Sequence, residues 1–303
     1  MDVRVGLTRY PKTLPPKWLY DETGSRLFEA ITRLPEYYPT EAERAILATS
    51  AEDIVALSGA TSIVELGSGT SDKTTTLLDA FDRGGQLCTF VPIDVSVAVL
   101  AEAAARLRAR YPRATVSPIV ADFTEALPSV PYDGRRLVAF LGGTLGNFYP
   151  DARRLFLEQL SSSLRPGDFL LLGADLVKSS DRLISAYHDS QGITARFIMN
   201  VLTVMNTQLG AEFDADTFQY VPFWDAPNGR MDLRLRSLCD QQVPVPGAGV
   251  VASFSEGEEI RVEISTKFRL GALATELEDV DLRTIRTFTD DRADFAVTLA
   301  CRG

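Results

Sequence analysis

Two glycines separated by one residue follow a short apolar run, and this pattern could hold a ligand. In residues 62–73, SIVELGSGTSDK, the apolar run predicts a strand, Gly67 and Gly69 a tight turn, and the residues after them the start of a helix. Glycine lets the backbone turn sharply and lets a ligand come close to it. A helix start offers unpaired N–H groups. The stretch therefore predicts a nucleotide-like ligand.

Acidic residues at the ends of successive predicted strands narrow the choice of ligand. A G-x-G-x-x-G dinucleotide fingerprint requires a third glycine where this chain has Asp72, and a carboxylate there disfavours a pyrophosphate. Asp94 suits two ribose hydroxyls, while Asp122 and the backbone N–H of Phe123 suit an adenine amine and ring nitrogen. Asp122 alone would fit a helix N-cap equally well. Together with Glu65, these acids predict the positively charged, phosphate-free cofactor S-adenosylmethionine.

The elements that would position these residues alternate between strand and helix patterns. Strands are predicted over residues 62–66, 87–93, 115–120, 136–141 and 169–173, with helices over 71–81, 95–110 and 152–164. Such alternation indicates an α/β fold with a parallel sheet covered on both faces. It resumes with a helix over 268–282 and strands over 284–289 and 294–300. A parallel sheet closed by a final hairpin is the pattern of class I S-adenosylmethionine-dependent methyltransferases.

Two other parts of the chain precede or interrupt this alternation. Helices are predicted over residues 21–34, 40–57 and 181–209, the second with Thr40 as its N-cap and Glu43 at the capping-box position. Further on, Met231, Leu233 and Leu235 alternate as in an antiparallel strand. We therefore predict a methyltransferase core formed by residues 42–176 and 268–303. A smaller α+β lobe would consist of residues 1–41 and 177–267.

Composition and charge exclude several classes of protein. The 303 residues carry a net charge of −10, which disfavours a nucleic acid or an anionic membrane as partner. No apolar run approaches the roughly 20 residues that span a bilayer, and residues 1–17 lack the apolar core of a signal peptide. Cys88, Cys239 and Cys301 lie far apart and fit neither a disulfide framework nor a zinc site. We expect a cytoplasmic protein without metal.

Several longer segments resemble one known family. They are LPPKWLYDETGSRLFEAITRLPEYYPTEAE, IVELGSGTSDKT, FLGGTLGNF, GADLVK, AYHDSQGITARF and the Glu-x-Ser of VEISTKFR, and together they extend over nearly the whole chain. They are similar to the histidine Nα-methyltransferases of ergothioneine biosynthesis. The resemblance implies a Rossmann-like core with a substrate-binding lobe, the substrate lying between the two. It also implies a monomer that transfers three methyl groups from S-adenosylmethionine to the α-amino group of L-histidine, giving hercynine, without a metal.

The resemblance further implies roles for individual residues. Cofactor contacts are Gly67, Lys73, Asp94, Asp122 and Phe123. Substrate contacts are Tyr37, Gly142, Asn147, Tyr187, Glu263 and Ser265. Tyr20, Phe28 and Gly142 lie around the reacting amine, and the catalytic residues are Tyr20, Phe28 and Asn147.

The chemistry of methyl transfer makes these residue types sensible. The reaction is an in-line displacement, so positioning of the nucleophile does most of the work. Tyr20 and Phe28 offer hydroxyl and π-face contacts to an amine that becomes permanently charged. Asn147 can donate to the substrate carboxylate. Glu263 and Ser265 are two positions apart, share a face of a strand and could hold both imidazole nitrogens.

Some positions depart from the family pattern and keep other functions open. Leu233 stands where a methionine is usual, and Ile198-Met199 and Thr287-Phe288 replace other family residues. The changes at Leu233 and Ile198-Met199 are the only support for an alternative, methylation of another aromatic amino acid such as tryptophan. A non-catalytic adenosyl-ligand-binding regulator and an NAD-dependent oxidoreductase are less favoured. We expect the single histidine, His188, to have a surface or packing role.

Overall fold

The computed structural model describes residues 2–124, 126–130 and 132–303, which divide into two compact units. The first unit combines Met1–Thr40 with Lys178–Lys267, and the second combines Glu41–Val177 with Phe268–Gly303. The helices are α1 (Asp2–Thr8), α2 (Glu22–Ile31), α3 (Tyr38–Ser58), α4 (Thr74–Arg83), α5 (Val97–Arg110), α6 (Pro150–Ser163), α7 (Ser180–Tyr187), α8 (Ile193–Leu209) and α9 (Leu270–Glu278).

The structure has strands in both units, and they are numbered here in chain order. They are β1 (Lys12–Thr13), β2 (Ser62–Leu66), β3 (Thr89–Asp94), β4 (Thr115–Val116), β5 (Ile119–Val120), β6 (Arg136–Phe140), β7 (Phe169–Asp175), β8 (Phe218–Asp225), β9 (Arg230–Ser237), β10 (Gln241–Val245), β11 (Val250–Phe254), β12 (Glu259–Thr266), β13 (Leu282–Thr289) and β14 (Phe295–Arg302).

The second unit is built on one sheet with the spatial order β13-β14-β7-β6-β2-β3-β4, and β5 also pairs with β3. Strands β2, β3, β6 and β7 run parallel, whereas β14 lies antiparallel between β7 and β13. Every residue of β2, β6 and β7 is buried, as a parallel sheet covered on both faces requires. The order and the terminal hairpin confirm the predicted class I methyltransferase fold.

The first unit is an α+β unit with its own apolar core. Its main sheet has the order β1-β12-β9-β8, and β10 pairs with β11 in a separate hairpin. Met231, Leu233 and Leu235 are buried in one cluster with Phe197 and Ile198 of α8. The predicted alternation in β9 is therefore correct.

The other face of β9 carries charges instead of apolar groups. Asp232 has no exposed surface, and it pairs with Arg230 at 2.8 Å, Arg234 at 2.7 Å and Arg261 at 3.3 Å. Glu259 of β12 extends this network by accepting from Arg234 at 2.9 Å. A carboxylate without exposure is tolerated here because three guanidinium groups surround it.

Some predicted element boundaries are wrong for identifiable physical reasons. Helix α3 begins at Tyr38, so Thr40 is not its N-cap, and the Glu43 carboxylate bonds to groups outside the helix. The strand predicted over 115–120 is interrupted at Ser117 and Pro118, where proline has no N–H to donate. The helix predicted over 268–282 ends at Glu278.

The helical region predicted over 181–209 is two helices. Asp189 lies between them, and its carboxylate accepts the backbone N–H groups of Ile193 and Thr194, both at 2.8 Å. Gly192 has φ of +65° and ends the connection. Helix α1 and strands β1, β8 and β10 were not predicted. Among the described residues, no helix is long and apolar enough to cross a membrane.

Candidate functional site

The glycine turn after β2 lies against the loop after β3. Gly67 and Gly69 have φ of +67° and +50°, a backbone conformation that favours glycine. The N–H of Gly69 donates to Asp94 Oδ2 at 2.9 Å, and the N–H of Ser96 donates to Asp94 Oδ1 at 3.0 Å. A Cβ on Gly69 would meet no atom within 4 Å, so the turn borders open space. Asp94 thus fixes the turn while its carboxylate keeps lone pairs for hydroxyl donors.

Phe123 brings a third loop to the same turn. A Cβ on Gly67 would lie 3.4 Å from the Phe123 ring, which packs edge-on against Phe140 with 5.6 Å between ring centroids. Asp122 forms a turn, because the N–H and hydroxyl of Thr124 both donate to its Oδ1, at 2.9 and 2.5 Å. The residues at the ends of β2, β3 and β5 therefore come together at one edge of the sheet.

Lys73 and Gly142 are joined by a residue that sequence reasoning misassigned. Glu43 of α3 has no exposed surface; it accepts the N–H of Gly142 at 2.7 Å and forms an ion pair with Lys73. The small size of Gly173 makes this possible, since a Cβ there would lie 2.1 Å from Glu43 Oε1. A lone glutamate in a helical pattern carries no signal that would distinguish this role from a capping box.

A second buried acid, Glu65, is hydrogen-bonded to residues that follow the glycine turn. Glu65 at the end of β2 accepts hydrogen bonds from the hydroxyls of Ser71, at 3.0 Å, and Thr74. Burial raises the pKa of Glu65 to about 7, although the two hydroxyls and the nearby Lys73 act in the opposite direction. The carboxyl group thus ties the strand end to the start of α4.

Gly142 and Asn147 belong to the loop after β6 in the same unit. Gly142 and Gly143 both have positive φ, +80° and +70°, which turns the chain sharply at the strand end. Asn147 ends a short 3-10 helix over Thr144–Asn147 and is half-buried. The loop therefore holds Gly142 close to Lys73, whose Nζ would lie 3.5 Å from a Cβ on that glycine.

In the first unit, three aromatic rings form a cluster around two of the predicted catalytic residues. Tyr20 and Phe28 meet edge-on with centroids 5.9 Å apart, and Phe197 lies 5.5 Å from Tyr20 and 5.8 Å from Phe28. Helix α2 is held in place by Asp21, whose Oδ1 accepts the N–H of Gly24 at 2.7 Å and Asn200 Nδ2 at 2.8 Å. Sequence reasoning did not identify Phe197 as part of this group.

Three of the predicted substrate contacts, Tyr37, Tyr187 and Ser265, lie together in the same unit. Tyr187 donates to Ser265 Oγ at 2.9 Å, and the ring of Tyr37 packs edge-on against Tyr187 at 6.1 Å. Lys267 is buried and donates to the Tyr187 hydroxyl at 2.7 Å and to Ser265 Oγ at 2.8 Å. Sequence reasoning did not identify this lysine.

Glu263 reaches the same side of the sheet because of a β-bulge. The pairing of β12 with β9 matches Ile260 to Leu235, then shifts between Arg261 and Glu263, so that Glu263 lies opposite Leu233 and Ser265 opposite Met231. Side chains directly opposite each other in a ladder share a face. Glu263 and Ser265 therefore lie on the face that carries the apolar residues of β9.

The environment of Glu263 disfavours its charged form. Burial raises the pKa of Glu263 to about 7, and the positive charge of Lys267 opposes this rise. Tyr220, which donates to the carbonyl oxygen of Tyr187 at 2.8 Å, is near enough to be influenced by Glu263. His188, at the end of α7, is exposed.

Comparison with known proteins assigns the chain to a family. The profile described as histidine-specific methyltransferase, SAM-dependent, matches residues 1–302. The chain belongs to this family. The histidine-specific methyltransferase described here is thus an S-adenosylmethionine-dependent enzyme, and the sequence-based prediction of its family is confirmed.

Curated relatives of this methyltransferase match over most of its length. It is 48% identical to the histidine N-alpha-methyltransferase of Mycolicibacterium smegmatis, over 99% of this chain and 94% of that protein. It is 46% identical to the protein of the same name from Mycobacterium tuberculosis, with the same coverage. The ergothioneine biosynthesis protein 1 of Schizosaccharomyces pombe is 29% identical, over 93% of this chain and 38% of that protein.

Proposed function

We propose that this methyltransferase trimethylates the α-amino group of L-histidine to hercynine, the first step of ergothioneine biosynthesis. One observation carries the choice of substrate. The buried Glu263 carboxyl group and the Ser265 hydroxyl lie on one face of β12, two positions apart. An imidazole ring has two nitrogens on opposite sides, and an acid and a hydroxyl at this spacing can bind one each.

The group around the glycine turn would hold the cofactor. Gly67 and Gly69 leave room for the backbone to approach a ligand, Asp94 can accept from ribose hydroxyls, and Asp122 and Phe123 can contact adenine. Lys73 would contribute its positive charge beside Gly142. S-adenosylmethionine, when bound, supplies a methyl group on a sulfonium centre. The fit is supported by a turn that borders open space and by acidic groups that suit a positively charged ligand.

The aromatic cluster would contact the amine that is methylated. The Tyr20 hydroxyl can accept from an amine N–H, and the Phe28 ring can stabilise a positive charge that becomes permanent after the third transfer. Asn147 is the proposed donor to the substrate carboxylate. Tyr187, whose hydroxyl hydrogen is donated to Ser265 Oγ, and Tyr37, which packs against it, are further proposed substrate contacts. These roles together orient the nucleophile, which is the main requirement for an in-line displacement.

The composition of the chain supports a proposal for its compartment and its partners. We propose a cytoplasmic monomer that uses no metal and has neither nucleic acid nor membrane as a partner. The net charge of −10 supports the last two points. Cys88, Cys239 and Cys301 are free, which suits a reducing compartment.

Mass spectrometry of products from a panel of free amino acids tests the substrate. Purified protein with S-adenosylmethionine should add three methyl groups to L-histidine, and excess chelator should leave the rate unchanged. Methylation of tryptophan without methylation of histidine would instead support the alternative substrate that Leu233 favours. A protein that binds S-adenosylhomocysteine yet methylates none of the amines would be a regulator, contrary to the proposal.

A further inference from the structure

Lys267 lies at the centre of the polar group that we assign to imidazole binding, and no role for it follows from the sequence. Only 4% of its surface is exposed. Its Nζ donates to the Tyr187 hydroxyl at 2.7 Å and to Ser265 Oγ at 2.8 Å, and it lies 4.7 Å from the centre of the Tyr187 ring. An ammonium group has three donors and accepts nothing.

These bonds determine the direction of the neighbouring hydrogen bond. Because Lys267 can only donate, both hydroxyl oxygens act as acceptors towards it. The Tyr187 hydroxyl donates its own hydrogen bond to Ser265 Oγ at 2.9 Å. Ser265 Oγ therefore accepts twice, which uses both of its lone pairs, and its remaining capacity is that of a donor.

The charge of Lys267 acts on Glu263 in a complementary way. Burial disfavours the carboxylate form of Glu263, and the ammonium group of Lys267 favours it. Tyr220 is close enough to Glu263 for the two groups to interact, and Tyr187 and Asp189 also act on Tyr220. The charge of Lys267 thus favours the carboxylate form, in which both Glu263 oxygens act only as acceptors.

We propose that Lys267 is a positioning residue that makes Ser265 a donor and Glu263 an acceptor, so that the pocket selects the neutral imidazole ring with a single N–H. This inference rests on the proposed function. The N–H of the ring donates to Glu263, and its unprotonated nitrogen accepts from Ser265. An imidazolium ring would direct a second N–H at an oxygen whose lone pairs are occupied.

The test measures binding of L-histidine by calorimetry between pH 5.5 and 8.5, in the presence of S-adenosylhomocysteine. Wild-type affinity should fall as the pH drops through about 7, where Glu263 takes up a proton. In Lys267→Met, this fall should move upwards by about one pH unit or more, because an opposite charge close to the carboxylate has been removed. Lys267→Arg keeps the charge and should retain the wild-type pH dependence.

Two further variants separate the effects. Ser265→Ala removes the donor, so it should weaken histidine binding about tenfold at every pH without moving the fall. If Lys267→Met is unstable, Lys267→Gln replaces it in the test. Lys267→Gln keeps an N–H donor but lacks the charge, so it should show the same upward shift in pH dependence. Unchanged affinity for S-adenosylhomocysteine would show that the second unit is intact in each variant.

The outcomes distinguish this inference from the proposed function. If the wild type methylates histidine and the pH dependence is the same in Lys267→Met, the positioning role is wrong and the function stands. If the wild type neither binds nor methylates histidine, the proposed function fails and the inference fails with it. If the wild type methylates histidine and the pH dependence of binding is shifted in Lys267→Met, both the proposed function and the positioning role are supported.

Discussion

Glu263 lies directly opposite Leu233 in the ladder between β9 and β12, so a buried acid adjoins a buried apolar side chain. Such a carboxyl group is costly unless a ligand or a cation compensates it. Lys267 supplies part of that compensation. The arrangement is more easily explained by a binding role than by stability, because an apolar residue would fill the same place at lower cost.

The first prediction concerns substitution of this acid. Glu263→Gln should weaken histidine binding at least tenfold, since hydrogen bonds to charged groups contribute about 1.5–3 kcal/mol. Affinity for S-adenosylhomocysteine should not change, and calorimetry measures both. Glu259→Gln is the matched control, because Glu259 lies on the same strand but pairs with Arg234 and Arg236 on the other face. An equal loss of both affinities in Glu263→Gln would contradict the assigned role.

A second prediction tests the glycine turn. Asp94→Asn should weaken S-adenosylhomocysteine binding by about tenfold or more, because it removes a charged acceptor that also holds the N–H of Gly69. Asp72→Asn is the control at the same turn, since Asp72 is exposed and pairs with Arg106. Its affinity should stay within twofold of the wild type. The reverse ranking of the two variants would show that Asp72, not Asp94, faces the cofactor.

The third prediction concerns stability and pH at Glu65. Its pKa in the folded state, about 7, lies above the ordinary value of 4.5, so the folded protein holds a proton that the unfolded chain has lost. Stability should therefore fall as the pH rises from about 4.5 to 7, by on the order of 3 kcal/mol from this group. Glu65→Gln cannot ionise and should show a shallower decline.

Urea unfolding at half-unit pH intervals measures this slope. Glu52→Gln, at an exposed position on α3, should keep the wild-type slope. The same slope in Glu65→Gln and in the wild type would mean that Glu65 is ionised in the folded protein throughout this range.

The fourth prediction tests the space around Glu43. Gly173→Ala should lower the free energy of unfolding by about 2 kcal/mol or more, because the new methyl group would lie 2.1 Å from the Glu43 carboxylate. Gly271→Ala on α9 meets no atom within 4 Å and should be neutral or slightly stabilising. Denaturant titration of both variants gives the comparison. Equal stability would indicate that Glu43 can move away without cost.

The sequence predicted the sheet of the second unit well because its strands are continuous apolar runs. It predicted the first unit less well for a physical reason. Strands β8 and β10 contain Pro222 and Pro244, which argue against a strand, yet β8 lies at the edge of its sheet, where a missing N–H is tolerated. Edge position is a property of the tertiary fold and leaves no local signal.

In the candidate site, some residues were identified by sequence motifs, whereas the contacts of others were not predicted. Motif resemblance identified Gly67, Asp94 and Phe123, and the structure brings them to one edge of the sheet. The role of Glu43 was misassigned and that of Lys267 was missed, because their partners are distant in the chain or belong to another element. An isolated charged residue has no periodicity, so only the folded structure reveals its partners.

The β-bulge in β12 gives this strand two alternation phases. Up to Ile260, even-numbered residues share the face of Leu235; after the shift, the odd-numbered residues Glu263 and Ser265 share the face of Leu233 and Met231. A mutational scan that assumes one phase along the strand would assign every residue on one side of the bulge to the wrong face.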